Sequence, residues 1–204
     1  MIHVVDYGLG NVQAFLNIYK RLGYNATRAK NADDLSNAKK IILPGVGSFD
    51  HAIELLNDSG MRESLDSLVL KDKIPILGVC VGMQMLASSS DEGTLQGLGW
   101  VPGRVCSFRL NDKTRNLALP HMGWNNVYPK STDLLFKGFE KDVKFYFLHS
   151  YYYQCKQEIH ETSKAFYGFN FACSISKENI YGVQFHPEKS HHFGALLLKN
   201  FAEL

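Results

Sequence analysis

Cys80 is the residue in this sequence best placed to act as a nucleophile. A short apolar run, Ile74-Pro75-Ile76-Leu77, ends at Gly78; the cysteine follows two residues later, and Gly82 opens a helical pattern. That layout is a nucleophile elbow, a tight strand-to-helix turn that exposes one side chain at the carboxyl edge of a sheet. Small residues two places to either side are needed, because the turn presses its backbone against neighbouring strands. A helix starting at the cysteine would also favour thiolate over thiol through its dipole. Most free cysteines are small buried hydrophobes instead, so the elbow gains its meaning from a base placed near it.

The far end of the chain offers that base. Residues 180–185 read as a strand, and His186-Pro187-Glu188 follows. A cysteine nucleophile needs a base to take its proton, and the base needs a group that fixes its tautomer. A strand-end histidine with a glutamate two residues on can supply both, since Pro187 restricts the backbone and can turn Glu188 back toward the imidazole. Cys106, Cys155 and Cys173 lie in strand-like segments without flanking glycines, which leaves Cys80 as the candidate.

Positioning these groups falls to alternating strands and helices. Residues 2–6 form a β-branched run; Val12, Phe15, Leu16 and Tyr19 then recur at helical spacing, with Asn11 as N-cap and Gly23 as stop. Residues 40–43 are the next strand, ending in Pro44-Gly45-Val46-Gly47, and Ser48 can cap a helix with Phe49, Ala52, Ile53 and Leu56 on its apolar face. A further helical stretch through Leu65, Leu68 and Val69 precedes the strand at 74–79. Such alternation implies a parallel sheet, with ligands at the carboxyl ends of its strands. Gly8-Leu9-Gly10, Gly45-Val46-Gly47 and Gly78-Val79-Cys80 all fall at such ends. After Gly103 the texture changes: residues 103–109, 124–128, 144–153, 165–169 and 171–176 are strand-like and aromatic-rich, which predicts an antiparallel layer added to the parallel sheet. Most of these rings, Phe145-Tyr146-Phe147 and Tyr151-Tyr152-Tyr153 included, read as alternating sheet packing. Ser190 then caps a last helix carrying Phe193, Leu196, Leu197 and Phe201. One mixed α/β domain over residues 1–204 is the economical reading.

Composition narrows the function classes. The 204 residues are 45% hydrophobic with a net charge of +2, which gives no reason to invoke nucleic acid or a membrane surface. No apolar run approaches a transmembrane helix, and four cysteines without a Cys-x-x-Cys pair suit a reducing, cytoplasmic setting. The Asp6-Tyr7-Gly8-Leu9-Gly10-Asn11 loop suggests a dinucleotide site but has Gln13 where the third glycine belongs, and no P-loop occurs. His191-His192 beside His186 lack metal-ligand spacing and read as a solvated helix start. No metal and no cofactor is therefore expected.

The elbow Gly78-Val79-Cys80-Val81-Gly82-Met83-Gln84, together with Gln184-Phe185-His186-Pro187-Glu188, resembles the class I (triad) glutamine amidotransferases. More narrowly, the chain is similar to the glutaminase subunits of imidazole glycerol phosphate synthases. That similarity runs through Leu43-Pro44-Gly45-Val46-Gly47-Ser48-Phe49, Pro120-His121-Met122-Gly123-Trp124-Asn125, Phe147-Leu148-His149-Ser150-Tyr151 and His186-Pro187-Glu188-Lys189-Ser190. Val81 and Met85 replace the commoner leucine of the elbow, and His191-His192 match no family role.

The resemblance implies a flavodoxin-like mixed sheet flanked by helices, with an added antiparallel layer. It implies Cys80 as nucleophile, His186 as proton shuttle and Glu188 as its orienting group. Backbone N–H groups of Val81 and of the loop holding Gly45 and Gly47 become the oxyanion donors. Gly47, Gln84 and the strand His149-Ser150-Tyr151 become the glutamine site. It also implies a (β/α)8-barrel synthase as heterodimer partner receiving the ammonia, with Asn11, Trp124, Tyr146 and Lys189 at or near the interface. A paralogous subunit feeding a sugar amidotransferase is the alternative. A free-standing cysteine peptidase and a non-catalytic regulatory module are the rivals outside the class. An intact Cys80, His186 and Glu188 speaks against the module, and no feature suggests an extended peptide substrate.

Overall fold

The computed structural model describes residues 1–131 and 133–204. Its strands are β1 (Ile2–Val5), β2 (Ala26–Ala29), β3 (Lys40–Gly45), β4 (Ile76–Cys80), β5 (Ser89–Ser90), β6 (Gly103–Ser107), β7 (His121–Asn126), β8 (Tyr128–Pro129), β9 (Lys144–His149), β10 (Tyr151–Cys155), β11 (Glu161–Tyr167), β12 (Phe169–Lys177) and β13 (Ile180–Val183). The helices are α1 (Val12–Leu22), α2 (Phe49–Asp58), α3 (Arg62–Asp66), α4 (Val81–Gln84) and α5 (His191–Glu203).

Among the described residues one sheet runs in the order β2-β1-β3-β4-β13-β12-β10-β6-β5, with β11 and β8 branching from β12. Strands β2, β1, β3, β4 and β13 are parallel to their neighbours, as the strand–helix alternation requires. At β13 the sheet changes character: it pairs parallel with β4 on one side and antiparallel with β12 on the other. The aromatic-rich second half therefore mostly extends the parallel sheet edge-on. Only β7 and β9 form a separate antiparallel pair, from His121 opposite His149 to Asn126 opposite Lys144.

Alternation along β9 fixes what this second layer does. Phe145, Phe147 and His149 point inward while Lys144, Tyr146 and Leu148 point outward. Phe145 stacks on Phe185 at 3.9 Å between ring centroids, and Phe147 meets Phe171 edge-on at 6.1 Å, so the layer packs directly over the main sheet.

Several local expectations are corrected. Ala26–Ala29 is a strand that no period-2 apolar signal announced, because it is an edge strand that is only half-buried. The strand expected over 144–153 breaks at Ser150 into β9 and β10, which belong to different sheets. The β11–β12 hairpin turns at Gly168, which adopts φ +73°, rather than at Asn170. Asn11 does cap α1, its Oδ1 accepting the Ala14 N–H at 3.1 Å, and Gly23 ends it in the left-handed region. Ser48 occupies the N-cap of α2 without a capping bond; the Phe49 N–H goes to the Glu92 carboxylate at 2.8 Å. Ser190 likewise makes no capping bond for α5. Its hydroxyl donates to the His186 carbonyl at 2.6 Å and accepts the Tyr146 N–H at 3.0 Å.

Candidate active site

The elbow is built by backbone contact. A Cβ on Gly82 would lie 1.9 Å from the Leu43 carbonyl oxygen, and one on Gly45 would lie 2.4 Å from the Gly82 nitrogen. Strand β3 and the turn after β4 thus touch backbone to backbone, and Cys80 is forced into φ 56°, ψ −114°, a conformation that non-glycine residues rarely hold. The turn presents the sulfur to a cleft of about 250 Å³ lined by Val46, Gly47, Cys80, Val81, Gln84, Glu92, Pro120, Leu148, His149, Ser150, Tyr151, His186 and Lys189. The helix expected to follow is a single turn, α4, succeeded by turn-type bonds from Met85 to Ala87. A dipole this short gives little support to a thiolate, so that support comes from side chains.

His186 is the principal one. It leaves β13 with its N–H donated to the Tyr146 carbonyl at 2.8 Å and its own carbonyl held by Ser190. Its Nδ1 lies 2.8 Å from Glu188 Oε1, and both side chains are almost wholly buried. Burial works against a charged imidazole, yet hydrogen bonds to Cys80 and Glu188 and the attraction of their charges outweigh it and push the His186 pKa up to about 10. The imidazole therefore keeps its proton at neutral pH, and a protonated imidazole beside the sulfur favours thiolate. The same sulfur lies 3.9 Å from the Leu148 carbonyl oxygen. Cys106, Cys155 and Cys173 sit elsewhere in the second half, with burial raising the pKa of each.

A second histidine pair lies behind the cleft. His149 Nδ1 donates to the Tyr151 carbonyl at 2.7 Å, so its Nε2 must accept from His121 Nδ1, 2.8 Å away. His121 Nε2 in turn accepts from Asn125 Nδ2 at 3.1 Å. Burial holds both rings neutral, pushing His121 down to about 4 and His149 to about 3. The pair fixes the carbonyl of Tyr151, which also accepts from Gln84 Nε2 at 3.4 Å.

The geometry of a cysteine, a raised histidine and a buried glutamate in one cleft suits acyl transfer from an amide or ester. The sequence matches the family described as glutamine amidotransferase class-I over residues 3–203. The chain belongs to that family. Among relatives of this amidotransferase, "Imidazole glycerol phosphate synthase subunit HisH" of Bdellovibrio bacteriovorus is 60% identical over the full length of both chains. The subunit of the same description from Leptospira borgpetersenii is 50% identical, again over 100% of each. A solved structure titled as a glutamine amidotransferase superposes with a TM-score of 0.77 over 99% of this chain and 97% of that one, at 17% identity, a likeness of fold.

Of the residues singled out in sequence, Gly47, Val81, Gln84, His149, Ser150 and Tyr151 line the amidotransferase cleft, whereas Gly45 lies behind the elbow and does not line it. As first residue of α4, Val81 has an N–H with no intrahelical acceptor. Trp124 and Tyr146 lie outside the cleft and Lys189 at its rim: the two rings meet edge-on at 6.4 Å, and the Lys189 ammonium stands 5.8 Å from the Tyr146 centroid. His191, without a role in sequence, stacks on Trp124 at 5.4 Å. Asn11 shares no such ring contact and is spent on capping α1. Sequence reasoning passed over Glu92, whose carboxylate lines the cleft. No motif surrounds it; its carboxylate is tied to the Phe49 N–H after β3, and its own N–H to Ser90 Oγ at 3.1 Å. Among the described residues no cluster with metal-ligand geometry occurs, and no helix is long and apolar enough to cross a membrane.

Proposed function

We propose that this chain is the glutaminase subunit of an imidazole glycerol phosphate synthase, a single cytoplasmic domain over residues 1–204 that hydrolyses glutamine and hands the ammonia to a (β/α)8-barrel partner. The observation carrying the chemistry is the strained Cys80 in one cleft with a His186 whose Nδ1 is held by Glu188, which leaves its other ring nitrogen for the sulfur. Cys80 attacks the glutamine carboxamide carbon as thiolate. The carbonyl oxygen becomes an oxyanion received by the Val81 N–H and by the loop holding Gly45 and Gly47, each such donor contributing about 3–4 kcal/mol in the transition state. His186 gives its proton to the departing nitrogen, ammonia leaves, and a thioester remains. His186, now neutral and oriented by Glu188, takes a proton from water, which releases glutamate.

The cleft suits a small amino acid. Gly47, Gln84 and the His149-Ser150-Tyr151 segment hold the glutamine, and the Glu92 carboxylate pairs with its α-ammonium. Trp124, Tyr146 and Lys189, with Asn11 at the edge, face the barrel. Relatives that match end to end bear the synthase subunit's name, which supports this acceptor over the paralogous sugar amidotransferase. All four cysteines are free thiols, in keeping with a cytoplasmic setting.

The test is a division of labour. With the cognate barrel, Cys80→Ala abolishes product formation from glutamine and leaves synthesis from ammonium salts intact; loss of both refutes the assignment of Cys80. The wild-type pair restores growth without histidine to an auxotroph lacking its own glutaminase subunit. Failure to do so, with glutaminase activity present in vitro, leaves the amidotransferase class and removes this acceptor.

A further inference from the structure

Strands β13 and β4 run in register with Val183 beside Val79, so the next step along the ladder sets Gln184 beside Cys80. Gln184 is completely buried. A primary amide in such a place costs free energy unless its donors and acceptor are bonded, and both its ends are. Nε2 lies 3.8 Å from Cys80 Sγ, and Oε1 accepts from Gln84 Nε2 at 3.0 Å.

The direction of this chain follows from its anchor. Gln84 Nε2 also donates to the Tyr151 carbonyl at 3.4 Å, and a carbonyl can only accept. The nitrogen of Gln84 therefore faces Tyr151, and its second hydrogen goes to the oxygen of Gln184. That leaves the Gln184 nitrogen aimed at the sulfur. Turning the Gln184 amide over would set nitrogen against nitrogen and oxygen against the sulfur.

We propose that Gln184 is a further catalytic residue of the glutaminase: its buried amide donates a hydrogen bond to the Cys80 sulfur and stabilises the thiolate, with Gln84 as the positioning residue that locks the amide's direction. The proposal rests on Cys80 being the nucleophile. Besides His186, two uncharged polar groups meet the sulfur and act in opposite senses. The Leu148 carbonyl, 3.9 Å away, can accept from a thiol but repels a thiolate, whereas the Gln184 N–H favours the thiolate. The titratable groups nearby are His186 with Glu188 behind it, His149 from β9, Tyr7 after β1 and Glu92 across the cleft. An amide does not titrate, so removing it alters the thiol's ionisation without adding or removing a charge.

The experiment is the pH dependence of Cys80 alkylation by iodoacetamide in the full-length chain, with the adduct mapped by mass spectrometry and the fold checked by circular dichroism. Gln184→Met is expected to raise the midpoint by about one pH unit, so that alkylation below the midpoint slows about tenfold. Gln84→Met shifts it the same way by less, because the Gln184 amide is then free to turn. With the partner present, Gln184→Met lowers kcat for glutamine and leaves KM nearly unchanged. A role in packing alone would leave the alkylation profile where it is, and a folded Gln184→Met with the wild-type midpoint overturns the proposal. Should Gln184→Met fail to fold, Gln184→Glu keeps the size and replaces the donor by a carboxylate. Its midpoint must rise by more than about one pH unit, and an unshifted one overturns the proposal equally. Wild-type Cys80 that resists alkylation at every pH refutes the nucleophile itself, and this proposal with it; a reactive wild type with unshifted variants refutes Gln184 alone.

Discussion

Adding one methyl group at Gly82 tests whether backbone contact shapes the elbow. Intrinsic propensity alone would welcome alanine, which is better than glycine in a helix by about 1 kcal/mol. The contact decides otherwise. The new Cβ would stand 1.9 Å from the Leu43 carbonyl oxygen, where ordinary contact begins at 3.4 Å, and it would also crowd the Leu43 and Pro44 carbonyl carbons at 3.0 and 3.2 Å. These neighbours are backbone of a central strand, so no flexible side-chain end can give way. Relief takes a separation of about 1.5 Å between β3 and the elbow, and overpacking of this kind costs about 1–3 kcal/mol. Set against the propensity gain, the net loss is about 0–2 kcal/mol, or up to roughly 8 °C in Tm for a chain of this size. Activity suffers more, because displacing a reacting group by about 1 Å can cost roughly 100-fold in rate. Thermal unfolding followed by circular dichroism, alongside glutaminase kinetics with the barrel present, measures both. A Gly82→Ala variant with wild-type Tm and kcat would refute the close approach of β3 and the elbow as the reason for glycine there.

Glu188→Gln should lower kcat by about 10²–10⁴-fold with the fold intact, because an amide beside His186 Nδ1 permits the wrong tautomer; steady-state glutaminase kinetics decide it, and full activity sinks the orienting role. The His121–His149 pair gives acid sensitivity: both folded pKa values, about 4 and about 3, lie below the ordinary histidine value near 6.5. Their contribution to stability is thus whole above pH 6.5 and is lost as pH falls through 4 to 3. Tm of the wild type should drop over that window, and more steeply than that of a His121→Asn/His149→Asn double variant; parallel curves would contradict it. Trp124→Ala should weaken binding to the barrel by more than tenfold while the pH profile of Cys80 alkylation stays put, as titration calorimetry and labelling will show; unchanged affinity removes Trp124 from the interface.

Much of this molecule is legible where a local rule and the global fold agree. The β1–α1 and β3–α2 units are visible because apolar spacing, the Asn11 cap and the Gly23 stop all act locally. The elbow is visible because glycines at 78 and 82 answer a steric demand that sequence alone can state. What escapes is whatever depends on who the neighbour is. Ser48 and Ser190 look like helix caps, yet Glu92 takes the bond at one end and His186 with Tyr146 takes the hydroxyl at the other. The aromatic second half reads as strands without revealing that β13 would splice most of it onto the parallel sheet. Glu92 belongs to no motif and is brought to the cleft by a bond to another segment; Gln184 opens the string that ends in His186-Pro187-Glu188, yet its place beside the sulfur shows only in the register of a strand pair.

That strand pair bears on how the molecule comes apart. Cys80 ends β4, and β13, the next strand over, leads directly to His186. His186 lies beyond the end of β13, past a bend at Gln184 and Phe185, and is held there by its N–H bond to the Tyr146 carbonyl of β9 as well as by the strand it follows. Both strands are completely surrounded by the sheet, with β3 beyond one and β12 beyond the other. Backbone amides in such strands exchange with solvent only through the highest-energy openings a protein has. Fraying of the edges at β2 or β5 can therefore proceed without disturbing β4 and β13, whereas loosening of the outer β7–β9 layer frees the Tyr146 carbonyl from His186 and the Leu148 carbonyl from Cys80. Cys80 is thus rooted at the end of a central strand, while His186 takes its place from both the centre of the sheet and the outer layer.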